Sequence, residues 1–205
     1  MTTVDFYFDL SSPWTCLAFH NIQPIIKAND AEILWKPFLV GGVFNAVNQD
    51  VYAARENPDN RKFVHSFRVL KDWAELAGLP MNFPSEHHPV KSVHAMRVCC
   101  ALEDDQPALH KFATAAFHAY YGEQRNLDDP QVLIAIANEA GLDGNALAAK
   151  TQEQAIKDRL RANTEEAIAR GAYGSPSIFV PFGESERMYF GNDQLPLVNW
   201  AIKQG

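Results

Sequence analysis

Val4-Asp5-Phe6-Tyr7-Phe8-Asp9-Leu10-Ser11-Ser12-Pro13-Trp14-Thr15 is the stretch on which the fold turns. Its first half is a short β-branched and aromatic run, as in a buried strand, and the run stops at Asp9. In its second half Ser12 stands as a helix N-cap, with Pro13 at the first helical position, where a missing N–H costs nothing. Apolar residues at Leu17, Phe19, Ile22 and Ile25 carry the predicted helix to about Ala28. Ile33-Leu34-Trp35, before Pro37, reads as a second strand. Strand, helix and strand in that order predict one parallel β-α-β unit.

From Gly41 to about Asn60 the signal is loop-like, with Gly41-Gly42, Asn45, Asn48-Gln49 and Asn57-Pro58. Helical patterns then follow without a convincing strand, at about 62–77, 92–103, 107–121, 130–140 and 153–170. The β-type pattern resumes at Ser177-Ile178-Phe179-Val180, turns through Gly183 and continues in Arg187-Met188-Tyr189-Phe190, which predicts a hairpin. Gly191-Asn192-Asp193 leads into a last helix at about 194–203. This order predicts an α/β sandwich: residues 1–40 plus 151–205 carry the sheet, and 41–150 form a helical insertion. No internal repeat, low-complexity tract or heptad run is present.

The 205 residues suffice for one compact unit with a substantial insertion. Apolar residues at 47% and charged residues at 21% can bury a core. A formal charge of -7 argues against non-specific binding to nucleic acid or anionic lipid, which needs a basic stripe, and favours a small-molecule partner. Met1-Thr2-Thr3-Val4-Asp5 has no basic residue and Asp5 and Asp9 interrupt the apolar stretch, so no signal peptide is expected, and no uncharged apolar run is long enough to span a bilayer. The three cysteines, Cys16, Cys99 and Cys100, form no CxxC pair, so a reducing, cytoplasmic setting is expected.

Two junctions carry chemistry. A helix opening after a core strand presents free N–H groups and the positive end of its dipole, which stabilise an anion such as a thiolate. Ser12 would point its hydroxyl there, although the same residue serves equally as a plain N-cap. Gly174-Ser175-Pro176, just before the late strand, is a place for a cis peptide bond that turns the Ser175 backbone toward an extended ligand, or for an ordinary turn proline. His87-His88 lacks a third ligand at useful spacing, so no metal is expected. Cys99-Cys100 reads as a buried pair on an apolar helix, and Cys16, one turn past Ser12, as aimed inward. No Gly-x-Ser-x-Gly elbow supports a hydrolase.

Taken together, these residues resemble the family of 2-hydroxychromene-2-carboxylate isomerases and kappa-class glutathione transferases, a branch of the DsbA-like thioredoxin superfamily. The carriers are Asp5-Phe6-Tyr7-Phe8-Asp9 with Ser12-Pro13, then Lys36-Pro37-Phe38-Leu39-Val40-Gly41-Gly42, Ala95-Met96-Arg97, Gly174-Ser175-Pro176 and Phe190-Gly191-Asn192-Asp193. The resemblance covers essentially the whole chain.

It implies a thioredoxin fold with a large all-helical insertion, glutathione as cosubstrate, a small aromatic or electrophilic substrate of aromatic catabolism, and a homodimer. It places Ser12 where the first redox cysteine would stand and Thr15 where the second would. In that family the hydroxyl donates to the glutathione sulfur and helps hold it as thiolate. Carried over by position, Pro13 and Trp14 line the thiol end, and Ser175, with Pro176 behind it, pairs with the cysteinyl part. Asn192 and Asp193 grip the γ-glutamyl end, Asn48 (or Gln49, without a gap) contacts the peptide, and Lys62 faces the glycyl carboxylate. Each also has a plain reading: Asp193 as a helix cap, Asn48 as a turn residue, Lys62 as a solvated charge. Lys91-Ser92 stands where isomerases of the family carry Asn-Ser, and Asn48-Gln49-Asp50-Val51-Tyr52 replaces their Asn-Gln-Pro-Pro. Both departures are expected to lie at the organic substrate.

The resemblance implies a glutathione-dependent isomerase in which the thiolate adds reversibly to an unsaturated aromatic substrate. The alternatives are a glutathione transferase, a thiol-disulfide oxidoreductase-like protein, and a binding module.

Overall fold

The computed structural model describes residues 1–52 and 60–205. Strand β1 (Thr3–Phe8) leads into α1 (Pro13–Asn21) and α2 (Gln23–Ala28), then β2 (Glu32–Pro37) pairs with β1 in parallel. Strands β3 (Ser177–Phe182) and β4 (Ser185–Phe190) form the hairpin, and β3 pairs antiparallel with β1. The sheet order is β2-β1-β3-β4. Helix α10 (Leu195–Ile202) closes the fold.

Between β2 and β3 the described residues form helices: α3 (Val40–Val47), α4 (Arg61–Leu76), α5 (Val93–Ala101), α6 (Gln106–Phe117), α7 (Pro130–Glu139), α8 (Gly144–Lys150) and α9 (Gln154–Ala169). A π-helical turn, His118–Gly122, prolongs α6. The fold is a thioredoxin fold with a large helical insertion, as expected. Helices cover both faces of β1, which is why Phe6, Tyr7 and Phe8 are apolar in succession rather than alternating with polar residues. Val4, Phe6 and Phe8 face a core shared with α1, the insertion and α10, while Tyr7 joins Phe38, Val43, Ala167 and Phe179 on the opposite face.

Several boundaries differ from the sequence expectation. The predicted helix to Ala28 is broken at Ile22, because Pro24 has no N–H to continue the ladder. The predicted loop after Gly41 is helical through Val47. Gly42 makes a close approach there: a Cβ at that position would lie 3.1 Å from Thr164 Cγ2 of α9. Asn57-Pro58, also read as loop, lies outside the described residues. Helix α8, with Asp143 as its cap, is too short to stand out from pattern alone.

Candidate active site

Asp9 anchors the turn that follows β1. It is fully buried, and its carboxylate accepts four hydrogen bonds. Oδ1 takes the Ser11 N–H at 2.9 Å and the Ser11 hydroxyl at 2.8 Å. Oδ2 takes the Val40 N–H at 2.9 Å and the Ser92 hydroxyl at 3.0 Å. Burial pushes this carboxyl above the ordinary range, and the four donors pull it back toward ionisation. One side chain thereby ties the β1–α1 turn to the first residue of α3 and to the N-cap of α5. The turn is held from the far side by Tyr121, whose hydroxyl donates to the Leu10 carbonyl at 3.3 Å.

Ser12 caps α1: its Oγ accepts the Thr15 N–H at 3.2 Å and donates to the Ser175 carbonyl at 3.0 Å. The Ser175–Pro176 peptide is cis, the turn chosen among the two open from sequence. The Ser175 hydroxyl accepts the Asp9 N–H at 3.0 Å and shares a 2.7 Å hydrogen bond with the hydroxyl of Thr15. Thr15 and Ser175 are both buried, so this link between α1 and the β3 turn is shielded from water. The outcome is a hydroxyl at the positive end of a helix, against a backbone carbonyl, which suits an extended ligand carrying a sulfur anion.

A cavity of about 350 Å³ opens over these groups. Ser12, Pro13, Trp14 and Ser175 line one end, and Phe63, Phe67, Leu70, Phe83 and His88 line the other. Val40, Phe44, Asn48 and Val51 form a side wall. The Asn48 amide donates to the Tyr173 carbonyl at 2.9 Å across the mouth. At the far end the rings of Phe67 and Phe83 lie nearly parallel with centroids 5.3 Å apart, and Phe63 stands edge-on to Phe67 at 4.5 Å.

Of the residues expected at the site, Ser12, Pro13, Trp14, Asn48 and Ser175 are brought together, with Pro176 buried directly behind. Gln49 turns its amide back to the Asn45 carbonyl instead. Lys62, in the first turn of α4, is exposed and does not line the cavity. Asn192 is buried, with Oδ1 accepting from Asn21 at 2.9 Å, in a separate groove between the ends of α1 and α4 and the start of α10. Asp193 beside it is exposed.

The expectation that Lys91-Ser92 lies at the organic substrate is not met. Lys91 is exposed, and the Ser92 hydroxyl is committed to Asp9 below the cavity. Cys16 is buried and lines a different hollow, and burial pushes its thiol up to about 12. Cys99 and Cys100 are likewise buried, with thiols raised for the same reason.

Sequence reasoning missed Asp9 as the hub, the Thr15–Ser175 link and the aromatic wall with His88. Only the wall left a signal: Phe63, Phe67 and Leu70 recur at helical spacing. Among the described residues no cluster of three metal-ligating side chains is present, and no helix is long and apolar enough to cross a membrane.

Residues 3–203 match the family model described as the DSBA-like thioredoxin domain. The 2-hydroxychromene-2-carboxylate isomerase of Sphingobium xenophagum is 28% identical over 198 residues, covering 94% of each chain. Human glutathione S-transferase kappa 1 is 24% identical over 206 residues, covering 96% of this chain and 88% of its own. A solved structure of a 2-hydroxychromene-2-carboxylate isomerase superposes with a TM-score of 0.79 at 24% identity, over 98% of this chain and 94% of the other.

Proposed function

The chain belongs to the DSBA-like thioredoxin family, and on that premise we propose that it is a glutathione-dependent enzyme, an isomerase of the 2-hydroxychromene-2-carboxylate type. A kappa-like transferase is the second reading, since relatives of both names match along nearly the whole chain. The observation that carries the proposal is the placement of the Ser12 hydroxyl at the N-terminus of α1, 3.0 Å from the carbonyl that precedes a cis proline, on the floor of a cavity large enough for an aromatic substrate.

The residues present fit glutathione. When bound, it supplies a thiolate nucleophile. The N–H groups and dipole at the start of α1, with the Ser12 hydroxyl, favour the anion over the thiol and lower the thiol pKa from its usual 8.5 or so. Ser12 now spends its proton on the Ser175 carbonyl. An extended ligand would offer its amide N–H to that carbonyl, which has two lone pairs, and the Ser12 hydroxyl would be free to rotate and donate to the ligand's sulfur instead. Ser12 and Ser175 therefore act as one unit. Pro13, Trp14 and Asn48 complete the cradle, with Pro176 holding the Ser175 turn from behind, whereas Lys62, Asn192 and Asp193 stand outside the lining and are assigned no contact.

Disulfide exchange finds no support, because it requires a reachable thiolate and Cys16 is buried with a raised pKa. Calorimetry with glutathione, together with the ultraviolet absorbance of the thiolate, tests the reading. Wild type should bind glutathione and ionise it near neutral pH, and Ser12→Ala should bind without ionising it. A wild type that does not bind glutathione sinks the proposal. Turnover of a hydroxychromene carboxylate without loss of glutathione marks the isomerase, and a stable thioether marks the transferase.

A further inference from the structure

Among the described residues Arg97, Arg125, Arg159 and Arg170 are the half-buried arginines. Arg125 has Glu139 at 2.7 Å, Arg159 has Asp104 at 2.9 Å, and Arg170 has Asp5 at 2.7 Å. Arg97, on α5, forms no ion pair with any described residue, and its Nε is sealed from solvent without an acceptor. A guanidinium cannot escape such a position by losing its proton, so its charge stands ready for an anion.

Arg97 lines a groove of about 510 Å³ between α3, α5 and α9. The groove lies along a different face of α3 from the catalytic cavity: Leu39 and Gly42 line the groove, whereas Val40, Phe44 and Asn48 line the cavity. Thr164 of α9 seals the seam between them by accepting the Leu39 N–H at 3.0 Å. Two more cations stand on the groove wall, one turn apart on α9. Lys157 is half-buried and forms no ion pair with any described residue, and Arg161 has only Asp158 at 3.8 Å. Against these three, the carboxylate on the described lining is that of Glu165, which is exposed. In a chain of formal charge -7 this is a local reversal of sign. The remainder of the wall is apolar, with Leu160 buried and Leu39, Val93 and Ile168 half-buried.

We propose that this groove is a second binding site, separate from the catalytic cavity, for a small carboxylic acid with an apolar body. The planar carboxylate takes two parallel N–H groups from the Arg97 guanidinium, and the Lys157 ammonium adds a point charge beside it. The hydrocarbon body covers Leu39, Val93, Leu160 and Ile168 and so removes their apolar surface from water. Neither a bare anion nor a neutral hydrocarbon satisfies both halves of the groove. The inference goes beyond the glutathione-dependent reading and does not rest on it.

Calorimetry with octanoate as the probe tests the proposal. Wild type should bind octanoate at least about tenfold more tightly than 1-octanol, which keeps the chain and lacks the charge, and than acetate or inorganic phosphate, which lack the chain. Arg97→Gln should weaken octanoate about tenfold and Lys157→Gln about threefold, with 1-octanol unchanged in both. Glu165→Gln, which removes the opposing carboxylate, should tighten octanoate about twofold. Lys203→Gln, past the end of α10, makes the same change in net charge as Lys157→Gln and should leave the affinity as it is. So should Phe67→Ala, which alters the catalytic cavity alone.

Lys157 and Glu165 have no ion-pair partner among the described residues, so their variants decide the matter even where Arg97→Gln fails to fold. The proposal is overturned if wild type does not bind octanoate, binds 1-octanol or phosphate as tightly, or loses octanoate in Phe67→Ala. It is equally overturned if Lys157→Gln and Glu165→Gln leave the affinity unchanged, or if Lys203→Gln weakens it as much as Lys157→Gln does.

Discussion

At the hydroxyl end of the cavity, Ser12, Thr15 and Ser175 are held by directed hydrogen bonds of 2.7 to 3.2 Å between the start of α1 and the turn before β3. At the aromatic end, Phe63, Phe67 and Phe83 are held by ring packing on helix α4 and the segment that follows it. Hydrogen bonds fix direction as well as distance, so the first end is suited to orient a proton toward a particular atom. Dispersion contacts fix shape with more tolerance, so the second end is suited to select a flat apolar group. The two ends should therefore respond separately to mutation: one in chemistry and stability, the other in the choice of organic substrate.

The largest effect should come from Asp9→Ala. It leaves the buried Val40 N–H, the Ser11 N–H and the Ser92 hydroxyl without their acceptor, at a cost of about 3 kcal/mol or more. Urea unfolding measures this, and a loss near zero would show that the hydroxyl end does not depend on its buried hub. Ser12→Ala should lower kcat on the order of 100-fold through lost stabilisation of the anion, yet cost only about 1 kcal/mol of stability through the lost cap. Steady-state kinetics beside thermal melting separates the two, and a variant that keeps its rate would reduce Ser12 to a cap.

Phe67→Ala is expected to raise KM for an aryl substrate about tenfold, in line with the transfer free energy of a partly removed ring. Glutathione affinity by calorimetry should stay unchanged, and a parallel loss of both would erase the distinction between the ends. The smallest effect belongs to α3, which runs beside the cavity. Gly41→Ala should stabilise the protein by about 0.5 kcal/mol, because a helical glycine gives way to alanine where no atom lies within 4 Å. Gly42→Ala should gain less, since its Cβ would press on Thr164. Equal gains would show that the α3–α9 contact yields freely.

Much of the hydroxyl end was legible because its signals are local. Ser12-Pro13 after an aromatic strand identifies a capped helix, and Gly174-Ser175-Pro176 before a second strand identifies a special turn. The same local logic failed where a distant partner decides. Gly41-Gly42 reads as loop until Thr164 of α9 is known to pack on it, and Lys91-Ser92 reads as substrate wall until Asp9 is found beneath Ser92. His87-His88 is an undistinguished pair in the chain. The cavity tells the two apart, with one ring turned to Glu86 and the other to the aromatic wall.

By itself the sequence determined the α/β order, the aromatic first strand, the capped helix bearing Ser12 and the absence of a CxxC pair. All of these follow from residue periodicity and from side chains acting within a few positions of themselves. Tertiary structure alone decided that Ser12 meets the carbonyl of Ser175, 163 residues away, and that Asp9 gathers donors from Val40 and Ser92, 31 and 83 residues on. It also decided that Asn192 points into a separate groove while Phe63, Phe67, Phe83 and His88 face Ser12. A hydrogen bond or ring contact between distant segments leaves no period in the chain. Only the closed sheet and the helices packed on both its faces bring those partners within reach.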